Sequence, residues 1–297
     1  TVTGLNSCTA TTTISISQNT MSPIAGITNN SGSAVLNCTL NTISLTATGG
    51  NTYAWSGGLG NTANANITNS ANITVTVTAS NGCTATSNIA ITQNTTAPNA
   101  GITNNSGTTT LTCNQASISL TASGGNAYTW SGGLGNTANA TATASGNYTV
   151  TVTGSNGCTA TSSIAISQNT TAPIANITNN SGTSTLTCSQ SSISLTASGG
   201  VSYLWNNGLG SSANATATLA GVYIVTVTAA NGCKSNATLT VSQNTTAPVA
   251  GITNNSGTSV LTCAQTSISL SGTGGQNYLW SNGLGTSTNV IVSGQGI

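Results

Sequence analysis

Charged side chains are almost absent from this chain of 297 residues, which has one basic residue, Lys234, and no Asp, Glu or His. Acid–base catalysis, an activated serine or cysteine nucleophile and a cage for a hard cation all need carboxylates or imidazoles. We therefore expect no enzyme, no cofactor, and no catalytic, cofactor-binding or metal-ligating residues. The missing basic patch also argues against a nucleic-acid partner, because phosphate binding depends on Lys and Arg.

Long apolar runs and Phe are absent as well. A membrane-spanning helix needs about 20 apolar residues in succession, so no membrane insertion is expected of this segment. No signal peptide is visible, and the chain opens inside a hairpin pattern, as expected of a window cut from a longer polypeptide. The surface is rich in Thr, Ser and Asn, whose hydroxyls and amides bond water without charge.

What the chain does contain is a strict internal repeat. A fixed period predicts a tandem array, and this length suits one small β-sandwich per period. We expect the hairpin of a preceding repeat at 1–19, full repeats at 20–94, 95–169 and 170–244, and the N-terminal part of a further repeat, without its last hairpin, at 245–297. The residues that recur with a step of 75 are Pro23, Pro98, Pro173 and Pro248; Cys38, Cys113, Cys188 and Cys263; Cys8, Cys83, Cys158 and Cys233; and Trp55, Trp130, Trp205 and Trp280.

The clearest element of the period is a β-hairpin at 148–173. Val150 and Val152 alternate with threonines, which is the two-residue period of a half-buried strand. The pair Asn156-Gly157 then marks a turn, because both residue types tolerate positive φ. The pattern recurs at 73–91 and 223–241, and its second half opens the chain at 1–16.

Turn signals divide the rest of the second period into short strands. Seven strands per period are typical of an immunoglobulin-like sandwich. The sequence therefore predicts an all-β tandem array of such sandwiches that forms an elongated rod. In the second period the predicted strands are 99–103, 108–113 as a second piece of it, 117–123, 127–131, 137–145, 148–153 and 158–166.

Each period also carries one tryptophan: Trp55, Trp130, Trp205 or Trp280. An aromatic ring of this kind can be a platform on which sugars stack. The chain has no Phe and few other large side chains, so something must fill each small core. We therefore predict that the tryptophans are core aromatics.

The eight cysteines, two per period, predict a disulfide framework in an oxidising compartment. Zinc is excluded by their spacing, because no two form a C-x-x-C pair. The strand order places the two cysteines of one repeat at opposite ends of its sandwich, too far apart to bond, so pairing between neighbouring repeats is favoured over the simpler pairing within each repeat. The interdomain scheme joins Cys38–Cys158 and Cys113–Cys233; the intradomain alternative joins Cys38–Cys83, Cys113–Cys158 and Cys188–Cys233.

Three segments carry a family resemblance: NYTVTVTGSNGCTATSSIAISQNTTAP at 147–173, LTCNQASISLTASGG at 111–125 and AYTWSGG at 127–133. They resemble the tandem immunoglobulin-like or PKD-like repeats of very large secreted surface proteins of Bacteroidota, among which the gliding-motility adhesins are best known. The resemblance covers every period. It implies export to the cell surface by the type IX route and a role in cell adhesion as an adhesin stalk or surface filament. The complete lack of acids departs from related repeats that bind calcium.

Two function classes follow. The first is a structural repeat region of an extracellular, cell-surface adhesin stalk or filament, uncharged and disulfide-stapled. The alternative is a glycan- or ice-binding repeat module, in which ice would meet Thr-x-Thr rows such as Thr149, Thr151 and Thr153, although strands also prefer threonine on any wet face. The expected partners are other copies of the same repeat and an unknown surface or glycan ligand. Because Thr1 corresponds to Thr151 and Ile297 to Asn147, we expect an open groove in the last sandwich that a neighbouring chain fills by strand donation.

Overall fold

Residues 1–294, which the computed structural model describes, fold into β-strands and connecting turns without an α-helix. The chain divides into two compact units, Thr1–Thr170 and Thr171–Ile297. The prediction of an all-β fold made of repeated sandwiches is confirmed. Within the described part of the chain, no helix is long and apolar enough to cross a membrane.

The strands fall into sets that follow the period. Those of the first unit are β1 (Val2–Thr3), β2 (Thr9–Ala10), β3 (Gly26–Asn29), β4 (Val35–Leu36), β5 (Ile43–Thr48), β6 (Thr52–Trp55), β7 (Asn64–Ile67), β8 (Ala71–Thr78), β9 (Thr84–Gln93), β10 (Gly101–Asn104), β11 (Thr110–Thr112), β12 (Ile118–Ser123), β13 (Ala127–Trp130), β14 (Asn139–Ala142), β15 (Gly146–Thr153) and β16 (Thr159–Asn169). A short 3₁₀ helix, Ser56–Gly58, follows β6. Those of the second unit are β17 (Asn176–Asn179), β18 (Thr185–Thr187), β19 (Ile193–Ser198), β20 (Ser202–Trp205), β21 (Asn214–Ala217), β22 (Gly221–Thr228), β23 (Lys234–Asn244), β24 (Gly251–Asn254), β25 (Ile268–Thr273) and β26 (Asn289–Val292).

The second repeat is a sandwich of two sheets. One has the order β10-β12-β14 and is antiparallel throughout. The other has the order β11-β16-β15-β13, and β15 with β16 forms the predicted hairpin. The repeats on either side have the same two strand orders, β3-β5-β7 with β4-β9-β8-β6 and β17-β19-β21 with β18-β23-β22-β20. The seven strands predicted for the period are therefore present, with bounds shifted by a few residues.

The short strand β11 shows how the chain moves from one sheet to the other. The sequence pattern predicts 108–113 as a second piece of the first strand. In the structure β11 leaves the sheet of β10 and pairs in parallel with the end of β16, with Thr112 opposite Asn169. The change of sheet is made in a turn that Asn104 stabilises, because its side-chain amide donates to the carbonyl of Thr108 over 2.8 Å.

The core of each sandwich is made by the alternation seen in the sequence. Val150 and Val152 are fully buried, whereas Thr149 and Thr151 between them keep partial contact with solvent. Full burial of one such aliphatic side chain stabilises the fold by about 1.5–3 kcal/mol. The buried core of the second repeat consists of Leu111, Ile118, Leu120, Ala122, Trp130, Ala140, Ala142, Tyr148, Val150, Val152 and Ile166.

A glycine pair sets the tight corner between β12 and β13. Gly124 has φ +103°, a conformation that side-chain-bearing residues rarely adopt. A Cβ atom at this position would overlap the backbone carbonyl of Asn99. The corner therefore requires glycine both for its backbone conformation and for the close approach of two chain segments.

The part of the second unit beyond residue 245 has one sheet, β24-β25-β26. In the described residues 245–294 no second sheet covers its inner face. A groove of about 280 Å³ lies there, and Trp280 on its wall is partly exposed. The residues that line the groove include Pro248, Ile252, Tyr278, Leu279 and Trp280.

Candidate functional site

The first candidate site is the junction between the two full repeats of the first unit. Cys38, in the loop after β4, forms a disulfide with Cys158, in the turn of the β15–β16 hairpin. Their Cα atoms are 4.9 Å apart, within the range that an unstrained disulfide allows. The bond therefore links the end of one repeat covalently to the turn of the next, and it is the pair that the interdomain scheme names.

Backbone contacts bring the two loops together beside the disulfide. The amide of Cys38 donates to the carbonyl of Asn156 over 3.2 Å. Gly157, with φ +75°, faces Thr39 so closely that a Cβ atom on the glycine would overlap the threonine methyl group. A side chain at position 157 would therefore force Thr39 to move, and the positive φ independently favours glycine there.

The loop that carries Cys38 is shaped by its own side chains. The Asn37 side-chain oxygen accepts hydrogen bonds from the amides of Thr39, over 3.0 Å, and Leu40, over 2.7 Å. Asparagine favours such turns because its short amide can replace a backbone partner. The turn places Cys38 at the surface, where the next repeat meets it.

A second contact fixes the linker that enters the second repeat. The Asn156 side-chain nitrogen donates to the carbonyl of Thr96 over 2.9 Å and lies 3.2 Å from the carbonyl of Asn94. Its side-chain oxygen accepts from the amide of Cys158 over 3.2 Å. One asparagine thus shapes the hairpin turn and ties that turn to the linker. We call Asn156 with these linker carbonyls the linker clamp.

The intradomain disulfide scheme is wrong for all three of its pairs. Cys158 is bonded to Cys38, so it is not available to Cys113. Cys83 and Cys188 have free thiols, which excludes Cys38–Cys83 and Cys188–Cys233. The remaining pair of the interdomain scheme, Cys113–Cys233, has its members in different units and stays a prediction.

The two cysteines of one repeat cannot bond because the last strand of each sandwich is long. In the second repeat, Cys113 follows β11, which pairs with the end of β16, whereas Cys158 precedes the start of β16. At about 3.3 Å per residue, this 11-residue strand separates the two cysteines by roughly 36 Å. A disulfide needs Cα atoms within about 7 Å.

The tryptophans of the three full repeats lie in the cores, not in an exposed binding face. Trp55, Trp130 and Trp205 are 6%, 5% and 4% exposed. Each indole N–H donates to a backbone carbonyl, which for Trp130 is that of Thr137 at 3.0 Å. A buried ring cannot stack on a sugar. Trp280 is partly exposed and lines the groove of residues 245–294.

A second candidate surface is the outward face of the four-stranded sheet in the second repeat. The strand register places Thr151 between Thr129 on β13 and Thr161 on β16, and Thr149 opposite Ser163. Neighbouring strands lie about 4.8 Å apart, and residues on one face recur about every 6.7 Å along a strand. The hydroxyl groups therefore form a regular grid that can donate to and accept from water or sugar hydroxyls.

Of the three full repeats, only the second has the complete hydroxyl grid. In the first repeat Ala54 takes the place of Thr129, opposite Thr76. In the first repeat of the second unit, Leu204 takes that place and is 62% exposed, and Ile224 replaces Thr149. The outward face therefore changes from repeat to repeat, whereas the core pattern does not.

The linker clamp is the part of the site that sequence reasoning missed. The pair Asn156-Gly157 was informative as a turn, but its side-chain role depends on a linker that lies 60 residues earlier in the chain. The available signal is the recurrence of asparagine before glycine at positions 81, 156 and 231. Among the described residues, no group of His, Cys, Asp and Glu side chains is arranged to hold a metal ion.

Comparison with known proteins gives distant structural similarities. No protein-family model and no curated protein matches the chain. The chain is similar to a solved structure from a 1.5-MDa bacterial ice-binding adhesin, studied for host cell surface retention, at 16% identity and a TM-score of 0.43 over 77% of this chain and 100% of that chain. It is also similar to SGBP-B of the Bacteroides ovatus mixed-linkage glucan utilization locus, in complex with a mixed-linkage heptasaccharide, at 14% identity and a TM-score of 0.18 over 72% of this chain and 64% of that chain.

Proposed function

We propose that the chain is a structural repeat region of a secreted adhesin stalk or extracellular filament at the cell surface, of the Bacteroidota gliding-motility class that its sequence resembles. The observation that carries this proposal is the Cys38–Cys158 disulfide between consecutive repeats. A stalk must transmit force without opening between its modules. A covalent bond between repeats, supported by the linker clamp, supplies that continuity.

The chemistry of the surface supports an extracellular location and a role other than catalysis. Disulfides persist in oxidising compartments. The chain has no Asp, Glu or His, so it lacks the groups that acid–base and nucleophilic catalysis use. Its one basic residue also leaves trypsin-like proteases a single cleavage site. In this role its partners are other copies of the repeat, joined by strand donation.

Force measurements on single chains test the stalk proposal. The disulfide closes a loop with a sequence separation of 120 residues, and an extended chain spans about 3.3–3.6 Å per residue, so about 400 Å of chain is held behind the bond. We expect chains pulled from their ends to release this length only after reduction. The matched control is the double variant Cys38→Ser with Cys158→Ser, which should release it under oxidising conditions as well.

Two results would contradict the stalk proposal. One is an equal extension of the oxidised chain and the double variant, since the bond would then carry no load. The other is that a repeat unfolds at a lower force than a single small β-domain pulled in the same instrument.

The hydroxyl grid favours a second function, the binding of ice or of a glycan by the second repeat. Regularly spaced hydroxyls on a rigid sheet can match ordered water or a row of sugar hydroxyls. Replacing Thr151, at the centre of the grid, by Val keeps the shape and β-propensity of the side chain but removes its hydroxyl. If the grid binds ice or a glycan, ice shaping or glycan-array signal should be lost in this variant and retained in Thr76→Val, the equivalent change in the first repeat.

A further inference from the structure

Asparagine followed by glycine is a reactive pair, and the chain places such pairs in two different environments. The backbone nitrogen of the glycine can attack the side-chain carbonyl carbon of the asparagine, because glycine has no Cβ to block the approach. The reaction needs both groups to be free to move. The chain has five such pairs: Asn81-Gly82, Asn156-Gly157, Asn207-Gly208, Asn231-Gly232 and Asn282-Gly283.

In the hairpin turn of the second repeat, both reacting groups are hydrogen-bonded. The side-chain nitrogen of Asn156 donates to the linker carbonyl of Thr96 over 2.9 Å, and its side-chain oxygen accepts from the amide of Cys158 over 3.2 Å. The attacking group, the amide of Gly157, donates to the carbonyl of Gly154 over 3.0 Å. The linker clamp and the turn must therefore both open before this pair can react.

The corresponding hairpin turns of the other two full repeats restrain their pairs in the same way. The amides of Gly82 and Gly232 each donate over 2.9 Å to the carbonyl three residues earlier. The side-chain oxygens of Asn81 and Asn231 each accept over 3.0 Å from the cysteine amide two residues later. Three of the five pairs are therefore protected by the fold.

The pair Asn207-Gly208, in the loop between β20 and β21, is exposed and weakly restrained. The side-chain nitrogen of Asn207 lies 3.3 Å from the carbonyl of Val222, which already accepts a shorter bond of 2.9 Å from Asn206. Among residues 1–294, no group donates to the side-chain oxygen of Asn207, and no carbonyl accepts from the amide of Gly208. Neither reacting group therefore has to break a strong bond.

We propose that Asn207 is a site of spontaneous covalent modification, at which the folded chain converts an amide into a carboxylate. A bond forms between the Gly208 nitrogen and the side-chain carbonyl carbon of Asn207, and the bond from that carbon to Nδ2 breaks. The proton of the Gly208 amide leaves with the side-chain nitrogen as ammonia. Water then opens the cyclic imide at either carbonyl and gives aspartate or isoaspartate, with no change of oxidation state.

The product would be the first acidic side chain in a chain whose only charged side chain is Lys234. Isoaspartate also adds one carbon to the backbone of the loop. This loop covers the core tryptophan of its repeat, because the backbone amide of Trp205 donates to the carbonyl of Gly210 and its indole N–H to that of Ser212, both over 2.9 Å. The modification therefore changes both the charge of the surface and the loop over the core.

Incubation of the folded chain at mildly alkaline pH, followed by mass spectrometry of peptides from an elastase digest, tests the proposal. Each asparagine is scored for the mass gain that accompanies the exchange of an amide for an acid. We expect Asn207 to react at least about tenfold faster than Asn156, because each hydrogen bond that must break slows the reaction. In guanidinium chloride the two should react at similar rates, since the fold then protects neither.

Two variants separate the loop from the pair itself, in a background with Asn282→Gly so that isoelectric focusing reports on this position. Asn207→Gly gives the glycine that the first two repeats have at Gly57 and Gly132, and it should abolish the acidic band. The reverse change, Gly57→Asn, puts a reactive pair into the equivalent loop of the first repeat. A Cβ atom there meets nothing within 4 Å, and the new pair should react at a rate similar to that of Asn207.

Equal rates at Asn207 and Asn156 in the folded chain overturn the proposal, since the pair alone would then set the reactivity. An unmodified Asn207 in the folded chain, or an acidic band that persists in Asn207→Gly, also overturns it. An unreactive pair in Gly57→Asn contradicts the role given to the loop. None of these results affects the force measurement, so the stalk role is judged separately.

Discussion

The side-chain amide of Asn156 donates a 2.9 Å hydrogen bond to the backbone carbonyl of Thr96, 60 residues earlier in the chain. In the first repeat Asn81 makes the equivalent bond to the carbonyl of Met21 over 3.0 Å. In the second unit Asn231 makes it to the carbonyl of Thr171 over 2.9 Å. The linker clamp is therefore a recurring device that ties each hairpin turn to the segment entering the same repeat.

Replacing Asn156 by Ala should lower the free energy of unfolding by about 1 kcal/mol, the usual net contribution of such hydrogen bonds. The exposed neighbour Ser155 provides the control, since Ser155→Ala should change stability by less than about 0.5 kcal/mol. Denaturant unfolding followed by circular dichroism measures both values. The linker at 94–98 should also be cleaved faster by a protease of broad specificity, such as proteinase K, in the Asn156 variant. Equal cleavage rates in the two variants would mean that the clamp does not hold the linker.

The tryptophans allow one substitution to be compared in two environments. Trp130→Ala should destabilise its repeat by about 3–5 kcal/mol, because it removes a large buried side chain. Trp280→Ala should have a clearly smaller effect, because Trp280 is partly exposed at the groove. Urea unfolding of both variants under identical conditions provides the measurement. Similar losses at the two positions would show that the inner face at Trp280 is as well packed as a closed core.

Stability should be almost independent of pH between about 4.5 and 7. It changes with pH only where the folded and unfolded chains bind different numbers of protons. The chain has no Asp, Glu or His, so no side chain of those types gains or loses a proton in this interval. We expect the free energy of unfolding to vary by less than about 0.5 kcal/mol across it. An added carboxylate, as in Thr161→Glu, gives a control in which a pH dependence can appear.

Much of the fold could be predicted from the sequence because the repeat supplies the same pattern several times. The alternation around Val150 and Val152 predicts the hairpin, and the structure has it as β15 and β16. The tryptophans could be assigned to the core because the chain has no Phe that could fill it instead. These features depend on short-range periodicity and on composition, which a sequence displays directly.

The junction could be predicted only in part. The pairing of Cys38 with Cys158 follows from strand direction, which fixes the end of the sandwich at which each cysteine lies. The linker clamp and the approach of Gly157 to Thr39 depend on how two consecutive repeats meet. No local pattern encodes that meeting, since it is set by packing between segments more than a period apart. The sequence displays the recurrence of Asn before Gly, but it does not display the linker carbonyl to which the asparagine side chain donates.

Two glycines in equivalent turns separate the cost of backbone conformation from the cost of the junction. Gly157 and Gly82 have φ of +75° and +83°. A Cβ atom on Gly157 would overlap the methyl group of Thr39, whereas a Cβ atom on Gly82 meets nothing within 4 Å. Gly82→Ala should therefore lower the free energy of unfolding by about 1–2 kcal/mol, the penalty of the left-handed conformation alone.

Gly157→Ala should lower the free energy of unfolding further. It should also slow the formation of Cys38–Cys158 from the reduced chain, because the two loops cannot close to 4.9 Å between Cα atoms without moving Thr39. Thiol counting during reoxidation measures this rate, and Thr39→Ala in the Gly157→Ala background should restore it. If Gly157→Ala reoxidises as fast as Gly82→Ala, the two repeats do not meet through this contact while the bond forms.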